Sequence, residues 1–140
     1  MASSYQVDIV SAEQALYSGD CEYLVATAEG GDVGIKPGHA AMLAQLKPGI
    51  IYITAPDGEQ ELFYVSGGSM EVLPHCVTIL ADTCTRASDL DEAAAIEAKE
   101  AAEIAIANKE GDVDYAAMQA ELAQAIAQIR ALEWQKRARK

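Results

Sequence analysis

The first part of the chain alternates short apolar runs with turn residues, a pattern typical of β-strands. Gly49–Ala55 and Glu61–Ser66 are two such runs, and they flank the turn residues Pro56-Asp57-Gly58. Further runs of this kind are Tyr5–Val10, Tyr23–Ala28, Met70–Leu73 and Cys76–Ala81. They recur about every ten residues without the 3.6-residue period of a helix, which predicts an antiparallel sandwich or barrel.

The second part carries the end signals of two helices. Ser88 to Glu92 offers capping and acidic first-turn residues, so we expect a helix from about residue 89 to Asn108. Gly111 favours a stop, because glycine tolerates the left-handed conformation, and Asp112 is expected to cap a second helix that ends near Ala138. A loop this short makes the two helices antiparallel neighbours.

Glycine, proline and alanine divide the chain at the same place. Nine of ten glycines and all four prolines precede residue 88, whereas 16 of 27 alanines follow residue 90. Glycine and proline, which end strands and form turns, thus lie mostly in the first part, and alanine, the best helix former, lies mostly in the second. We therefore predict an α+β protein with a β-domain over residues 1–87 and a two-helix domain over 88–140.

Alanines at helical spacing are predicted to form the interface between the helices. The two stripes are Ala94, Ala98, Ala101 and Ala105, then Ala116, Ala120, Ala123 and Ala127. A buried methyl contributes only ~0.8 kcal/mol, less than the ~1–2 kcal/mol of backbone entropy each ordered residue loses. The hairpin should therefore be helical but lightly held. A second stripe that needs cover from the strands or a partner is Met118, Leu122, Ala125, Ile129 and Leu132.

Charge is uneven along an acidic chain of 140 residues with net charge −12. This balance disfavours nucleic-acid binding and anionic membrane surfaces. Ser88–Ile129 holds ten acidic residues and two lysines, whereas Arg130–Lys140 holds five cations and Glu133. The basic segment at the C-terminus has two explanations. Its cations complement the dipole at the end of a helix, or they form a basic tip that binds an acidic protein surface.

No membrane or secretory segment is predicted, because no apolar run approaches ~18–20 residues and the N-terminus lacks a basic and then apolar leader. Cys21, Cys76 and Cys84 form an odd set without CxxC spacing, which favours free thiols in a reducing compartment.

A catalytic or metal-binding arrangement is not predicted either. The chain lacks GxxxxGK[ST], GxSxG and CxxC strings, and His39 and His75 lack partners at ligand spacing. A small jelly-roll metalloenzyme would need more ligands than these. We therefore expect no enzyme activity, no cofactor and no metal.

Several strings are more specific than the strand pattern. In order they are Val7–Gln14, Leu16–Gly19, Gly34–Ala40, Leu46–Gly49, Val65–Gly68, Ile79–Thr83 and Gly111–Tyr115. Their ordered co-occurrence resembles the epsilon subunit of bacterial F-type ATP synthases over roughly Tyr5 to Lys136. The resemblance implies a β-sandwich of about ten short strands and a helical hairpin.

The resemblance also implies a function. The chain would be a central-stalk subunit that binds the gamma subunit and the c-ring and couples proton flow to catalysis. Its helices would restrain ATP hydrolysis: in a "down" state the hairpin folds against the sandwich, and in an "up" state it opens and the second helix enters the alpha/beta head beside gamma. It would lie peripherally on the cytoplasmic face of the bacterial inner membrane. The alternative is a free-standing regulatory sandwich with a docking hairpin.

Site residues follow from the same resemblance. Contact with the c-ring or gamma is implied for Ser11, Glu29, Gly30, Gly31, Asp32 and His39. From the residues alone, the Glu29–Asp32 loop is a solvated turn and His39 is a structural histidine. Inhibitory contacts are implied for Arg130, Glu133, Lys136 and Arg137.

Nucleotide binding is expected to be weak. Some family members hold ATP through a motif of Ile or Leu, Asp, two variable residues, Arg and Ala. Here Leu90 and Asp91 fit, but alanine stands at Ala94 in place of the arginine, and at Ala101 one helical face along. Alanine cannot supply the bidentate, permanently charged grip of arginine on phosphate. Asp91 is otherwise a first-turn helix acid.

Overall fold

The computed structural model describes residues 4–108 and 115–138, which form nine strands, a short 3-10 helix and two α-helices. The strands are β1 (Tyr5–Val10), β2 (Ala15–Cys21), β3 (Tyr23–Ala28), β4 (Gly31–Ile35), β5 (Met42–Thr54), β6 (Gln60–Val65), β7 (Gly68–Val72), β8 (Cys76–Ala81) and β9 (Cys84–Arg86). The 3-10 helix (Ala87–Asp89), α1 (Glu92–Asn108) and α2 (Tyr115–Ala138) follow.

Strand β5 joins the two layers of a β-sandwich. Its first part, Met42–Leu46, pairs with β7 in a layer ordered β2-β1-β8-β7-β5. Its second part, Gly49–Thr54, pairs with β6, while β3 pairs along its other edge and β4 and β9 complete the second layer. Lys47 and Pro48 have no ladder partner between these parts. A proline is tolerated there because no backbone N–H is needed.

The core fills the space between the layers. Alternate residues of each strand point inward, as in β1, where Tyr5, Val7 and Ile9 are buried. Phe63 and Ile51 meet them from the second layer. Their burial stabilises the sandwich mainly through apolar area removed from water.

Strands β5 and β6 are buried on both faces. Ile51, Ile53, Phe63 and Val65 belong to the core between the layers, whereas Ile50, Tyr52, Leu62 and Tyr64 face outward beneath α2. Double burial explains why both strands read as nearly continuous apolar runs instead of alternating ones.

The predicted α+β architecture of a sandwich followed by a helical hairpin is confirmed, with differences in the strands. Nine strands are described where about ten were expected, and β1 and β8 pair in parallel, so the sandwich is not purely antiparallel. The predicted strand at Gly49 is the second part of β5, which runs through Pro48. Polar composition hid β2 and β9, which pair with β1 and β6.

Helix α1 begins at Glu92, later than the predicted residue 89, because Leu90 is extended and Asp91 caps the helix. The described part of α1 runs to Asn108. The stop at Gly111 and the cap at Asp112 lie outside the described residues.

The predicted alanine stripes are largely wrong. The buried alanines of α1 are Ala95 and Ala102, and the stripe residues Ala94, Ala98 and Ala101 are exposed. In α2, Ala125, Ala127 and Ala131 are buried. The buried face of each helix is therefore rotated from the predicted one, because α2 must serve both α1 and the sandwich. The stripe of Met118, Leu122, Ala125, Ile129 and Leu132 is buried or half-buried, as its need for cover required.

Gly68 provides a test of the fold at the start of β7. Its φ is +139°, and a Cβ there would overlap the backbone of Leu80 and Ala81 on β8. We expect Gly68→Ala to lower the free energy of unfolding by about 2–4 kcal/mol in chemical denaturation. Gly30→Ala is the control, because a Cβ at Gly30 meets open space; its change should stay within about 1 kcal/mol. Equal stability of the two variants would contradict this.

Candidate functional site

One end of the sandwich collects Ser11 and residues 29–32. Ser11 follows β1 and its N–H donates to the Gln14 carbonyl at 2.9 Å. Val10 lies next to Leu80 in the β1–β8 ladder, and Glu29 N–H donates to the Gln45 carbonyl at 3.0 Å. We call this surface the Ser11 end; its residues are Val10–Ala12, Glu29–Asp32, Gln45, Gly67–Ser69 and Leu80–Asp82.

The Ser11 end has a shallow hollow of about 440 Å³, lined by residues that include Ser11, Gln45, Leu80 and Asp82. Leu80 is 55% exposed, and Leu43 on the same layer is 76% exposed. Large exposed aliphatic side chains beside polar groups are typical of protein contact surfaces.

Residues Glu29 to Asp32 make the turn between β3 and β4. Gly31 has φ +126°, a conformation that favours glycine, and it pairs with Ala28 at the start of β4. Glu29, Gly30 and Asp32 are exposed. The turn therefore presents two carboxylates to solvent.

His39 lies at the opposite end of the sandwich. Gly38 N–H donates to the Pro74 carbonyl at 3.3 Å, so the turns that carry His39 and His75 are neighbours. The sequence had given no relation between these two turns. Nδ1 of His39 lies 2.7 Å from the carbonyl oxygen of Ala40. The structure thus separates His39 from Ser11 and Glu29–Asp32.

A second functional surface joins α2 to the outer face of the sandwich. Its residues are Ile50, Tyr52, Leu62 and Tyr64 on β5 and β6, with Leu90, Ala127, Ala131 and Trp134. We call this surface the docking seam. Ala127 and Ala131 are buried in it, whereas Tyr52 and Trp134 are half-buried at its margin. The Tyr52 and Trp134 rings lie 5.1 Å apart between centroids, tilted by 37°.

Tyr64 places a hydroxyl inside the docking seam. Its side chain is buried, and within the described residues its Oη has no partner in hydrogen-bonding geometry. Burial raises the pKa of this phenol, and the Gln128 amide on α2, which approaches without completing a hydrogen bond, offsets part of that rise. An unpaired buried hydroxyl is costly because it has lost its bonds to water.

The four predicted inhibitory residues lie along the last turns of α2. Lys136 Nζ is 2.8 Å from Glu92 Oε1, which ties the end of α2 to the start of α1. Both side chains of this ion pair are exposed, so it contributes little to stability. Arg130 and Glu133 are exposed, and Arg137 lies beside Tyr52 and Trp134.

The linker between sandwich and helices is anchored by Arg86. Its guanidinium is 2.7 Å from Glu61 Oε2 and lies over the Phe63 ring at 5.1 Å. Ala87 is buried directly after it. Arg86 and Ser88 also line a pocket of about 410 Å³ that opens between the sandwich and Trp134.

The thiols and carboxylates offer little chemistry. Burial raises the pKa of the Cys84 thiol to about 11 and also raises that of Cys21, so neither is a thiolate near neutral pH. Among the residues that the structure describes, no three His, Cys, Asp or Glu side chains come together as a metal site. No described helix is long and apolar enough to cross a bilayer.

Sequence reasoning expected the hairpin to fold against the sandwich in a "down" state, but it did not identify the residues of the docking seam. Its signal was present in the continuous apolar runs of β5 and β6, which indicate strands covered on both faces. Trp134, the only tryptophan of the chain, was a second signal. Neither the apolar runs nor Trp134 showed that α2 covers the outer face of β5 and β6, because that depends on how the hairpin folds back onto the sandwich.

Asp91 occupies the N-cap of α1. Its Oδ1 accepts a hydrogen bond from the Ala94 N–H at 3.1 Å, and its carbonyl accepts one from Ala95. The structure therefore makes this residue the N-cap of α1, just before the first turn in which it was expected.

A substitution tests that cap. We expect Asp91→Ala to lower the free energy of unfolding by about 1 kcal/mol, because it leaves a first-turn N–H unpaired. Denaturation followed by circular dichroism measures it. Asp91→Asn keeps an acceptor and should remain close to the wild type, so equal losses in both variants would contradict the capping role.

Comparison with known proteins places residues 4–133 of the chain in one family. The β-sandwich domain of the ATP synthase delta/epsilon chain matches residues 4–87, and its long α-helix domain matches residues 88–133. An ATP synthase epsilon chain of Legionella pneumophila (strain Corby) is 56% identical over 133 residues, 95% of each chain. One from Nitrosospira multiformis is 57% identical over 129 residues, covering 92% of this chain and 93% of that one.

Solved structures share the fold. A chain of the Euglena gracilis mitochondrial ATP synthase (OSCP/F1/c-ring) matches with a TM-score of 0.77 at 19% identity, covering 91% of this chain and 79% of that one. A chain of the Tetrahymena thermophila mitochondrial ATP synthase central stalk and c-ring has a TM-score of 0.64 at 13% identity, covering 91% and 96%. With its relatives, this chain belongs to the ATP synthase delta/epsilon family and, within it, to the bacterial epsilon chains.

Proposed function

We propose that this chain is a non-catalytic rotor subunit in the central stalk of a proton-translocating F-type ATP synthase. The observation that carries the proposal is its relation, over nearly its whole length, to chains named ATP synthase epsilon chain. Relatives that are subunits of one machine favour this role over a free-standing regulatory module. The subunit would lie peripherally on the cytoplasmic face of the inner membrane through its partners.

The sandwich, residues 1–87, is the proposed rotor-binding domain. The Ser11 end supports this assignment, because it brings Ser11, exposed Leu80 and the acidic Glu29–Asp32 turn to one surface. We assign the turn to the c-ring, with Asp32 as a polar contact, and the Ser11 side to the c-ring or gamma. His39 lies at the other end, so it would meet a different part of gamma.

The helices, residues 88–140, are the proposed regulatory domain. In the structure α2 rests on the sandwich, which corresponds to the "down" arrangement. Buried alanines dominate the α2 side of the docking seam, so little apolar area holds the hairpin there. Two packings of one hairpin then differ by a few kcal/mol, which suits a movement into the alpha/beta head.

The basic end of α2 is the proposed inhibitory element. Arg130, Lys136 and Arg137, supported by Glu133, would meet acidic and backbone groups of the beta and gamma subunits. In the docked hairpin Lys136 is paired with Glu92, and Arg137 lies against the seam. Leaving the sandwich would free Arg137 for such contacts.

Truncation tests the inhibitory role. We expect removal of residues 130–140 to raise ATP hydrolysis by the assembled enzyme, since the cations that restrain it are gone. Hydrolysis rates of complexes with equal subunit content measure the effect. An unchanged rate would contradict the assignment.

A second truncation tests the domain boundary. Removal of all residues after Ala87 should leave a folded sandwich that still binds gamma.

Nucleotide affinity is a separate test. We expect the isolated subunit to bind MgATP weakly or not at all, because Ala94 and Ala101 stand where arginines would grip phosphate and Asp91 is occupied as a cap. Isothermal calorimetry measures the affinity. A micromolar dissociation constant would contradict the expectation.

A further inference from the structure

We propose that the docking seam is a balanced latch, in which the Trp134–Tyr52 contact fastens the hairpin and the buried Tyr64 hydroxyl loosens it. Together these groups set the ratio of docked to undocked hairpins in this chain. The inference deepens the proposed regulation, and only its consequence for hydrolysis rests on that function.

The aromatic pair is the fastening element. The other α2 residues of the docking seam are Ala127 and Ala131, so Trp134 is the large apolar side chain that α2 brings to it. Its ring packs on Tyr52 with centroids 5.1 Å apart. Aromatic pairs of this kind add to the gain from buried area, by an amount equal to about a two- to tenfold change in an equilibrium.

The Tyr64 hydroxyl opposes docking. Tyr64 points outward from β6, because its neighbours Phe63 and Val65 point into the core. Its 3% exposure depends on the cover that α2 provides. When α2 lifts away, water can bond the hydroxyl, so the cost of its incomplete hydrogen bonding falls on the docked state, where the nearby Gln128 amide reduces it.

The nearby ion pair does not set this balance. Lys136 and Glu92 join α2 to α1 and not to the sandwich, so the pair does not hold α2 on the docking seam. Its exposure also makes it weak. The aromatic pair and the hydroxyl belong to the docking seam itself, so both change when α2 leaves the sandwich.

Distance measurement on the full chain tests the latch. Spin labels carried by unnatural amino acids at the exposed positions Asp57 and Glu121 leave the native cysteines unchanged. Pulsed paramagnetic resonance then gives the docked and undocked populations. We expect Tyr52→Ala to lower the docked-to-undocked ratio about two- to tenfold, and Tyr64→Phe to raise it about fivefold or more.

Two further variants serve as controls. Tyr23→Ala removes an exposed tyrosine of the neighbouring strand, which packs over Gly34 and not on α2, and should leave the ratio within about twofold. Trp134→Ala acts from the helix side, and it should reproduce Tyr52→Ala without adding to it in the double variant. Thermal unfolding checks that each sandwich is folded.

The outcomes separate the latch from the function. A ratio unchanged by both Tyr52→Ala and Trp134→Ala, a decrease in Tyr64→Phe, or a hairpin fully docked in every variant would overturn the latch. In the assembled enzyme, Tyr52→Ala should lower ATP hydrolysis, because more hairpins are free to restrain it. If the ratio shifts as expected while hydrolysis stays constant, the latch stands and the proposed function fails.

Discussion

The structure depends on strands β5 and β6 being apolar on both faces. One face completes the core of the sandwich, and the other would expose Ile50, Tyr64 and their neighbours to water unless something covers it. Helix α2 supplies that cover. The arrangement of the hairpin, the half-buried position of Trp134 and the closeness of the basic helix end to the sandwich all follow from this requirement.

Helix α2 contributes little apolar surface to the docking seam. Alanine keeps α2 helical by its own propensity, yet it offers one methyl for each contact. The sandwich therefore owes its stability to its own buried side chains, while the hairpin is held by one aromatic contact and small groups. This division lets one part of the chain stay rigid while the other is able to move, as regulation of a rotor would require.

The two ends of the sandwich show how topology groups residues that are distant in sequence. Val10 and Leu80 meet because β1 and β8 are parallel, a pairing that alternating strand runs do not reveal. Glu29 reaches the same surface through β5, where Gln45 accepts its N–H. The sequence could propose Ser11, His39 and the acidic turn singly, but it could not show that His39 lies apart from the others.

By itself the sequence determined the order of strands before helices and the charge of the final turn of α2, because local propensity acts over a few residues. It also indicated that the helices would be lightly held. Only the tertiary structure decided which alanines are buried, which way each helix is turned, and that Trp134 meets Tyr52. Those choices depend on burying two surfaces of α2 at once, and that requirement comes from residues about 70 positions away in the chain rather than from the helix itself.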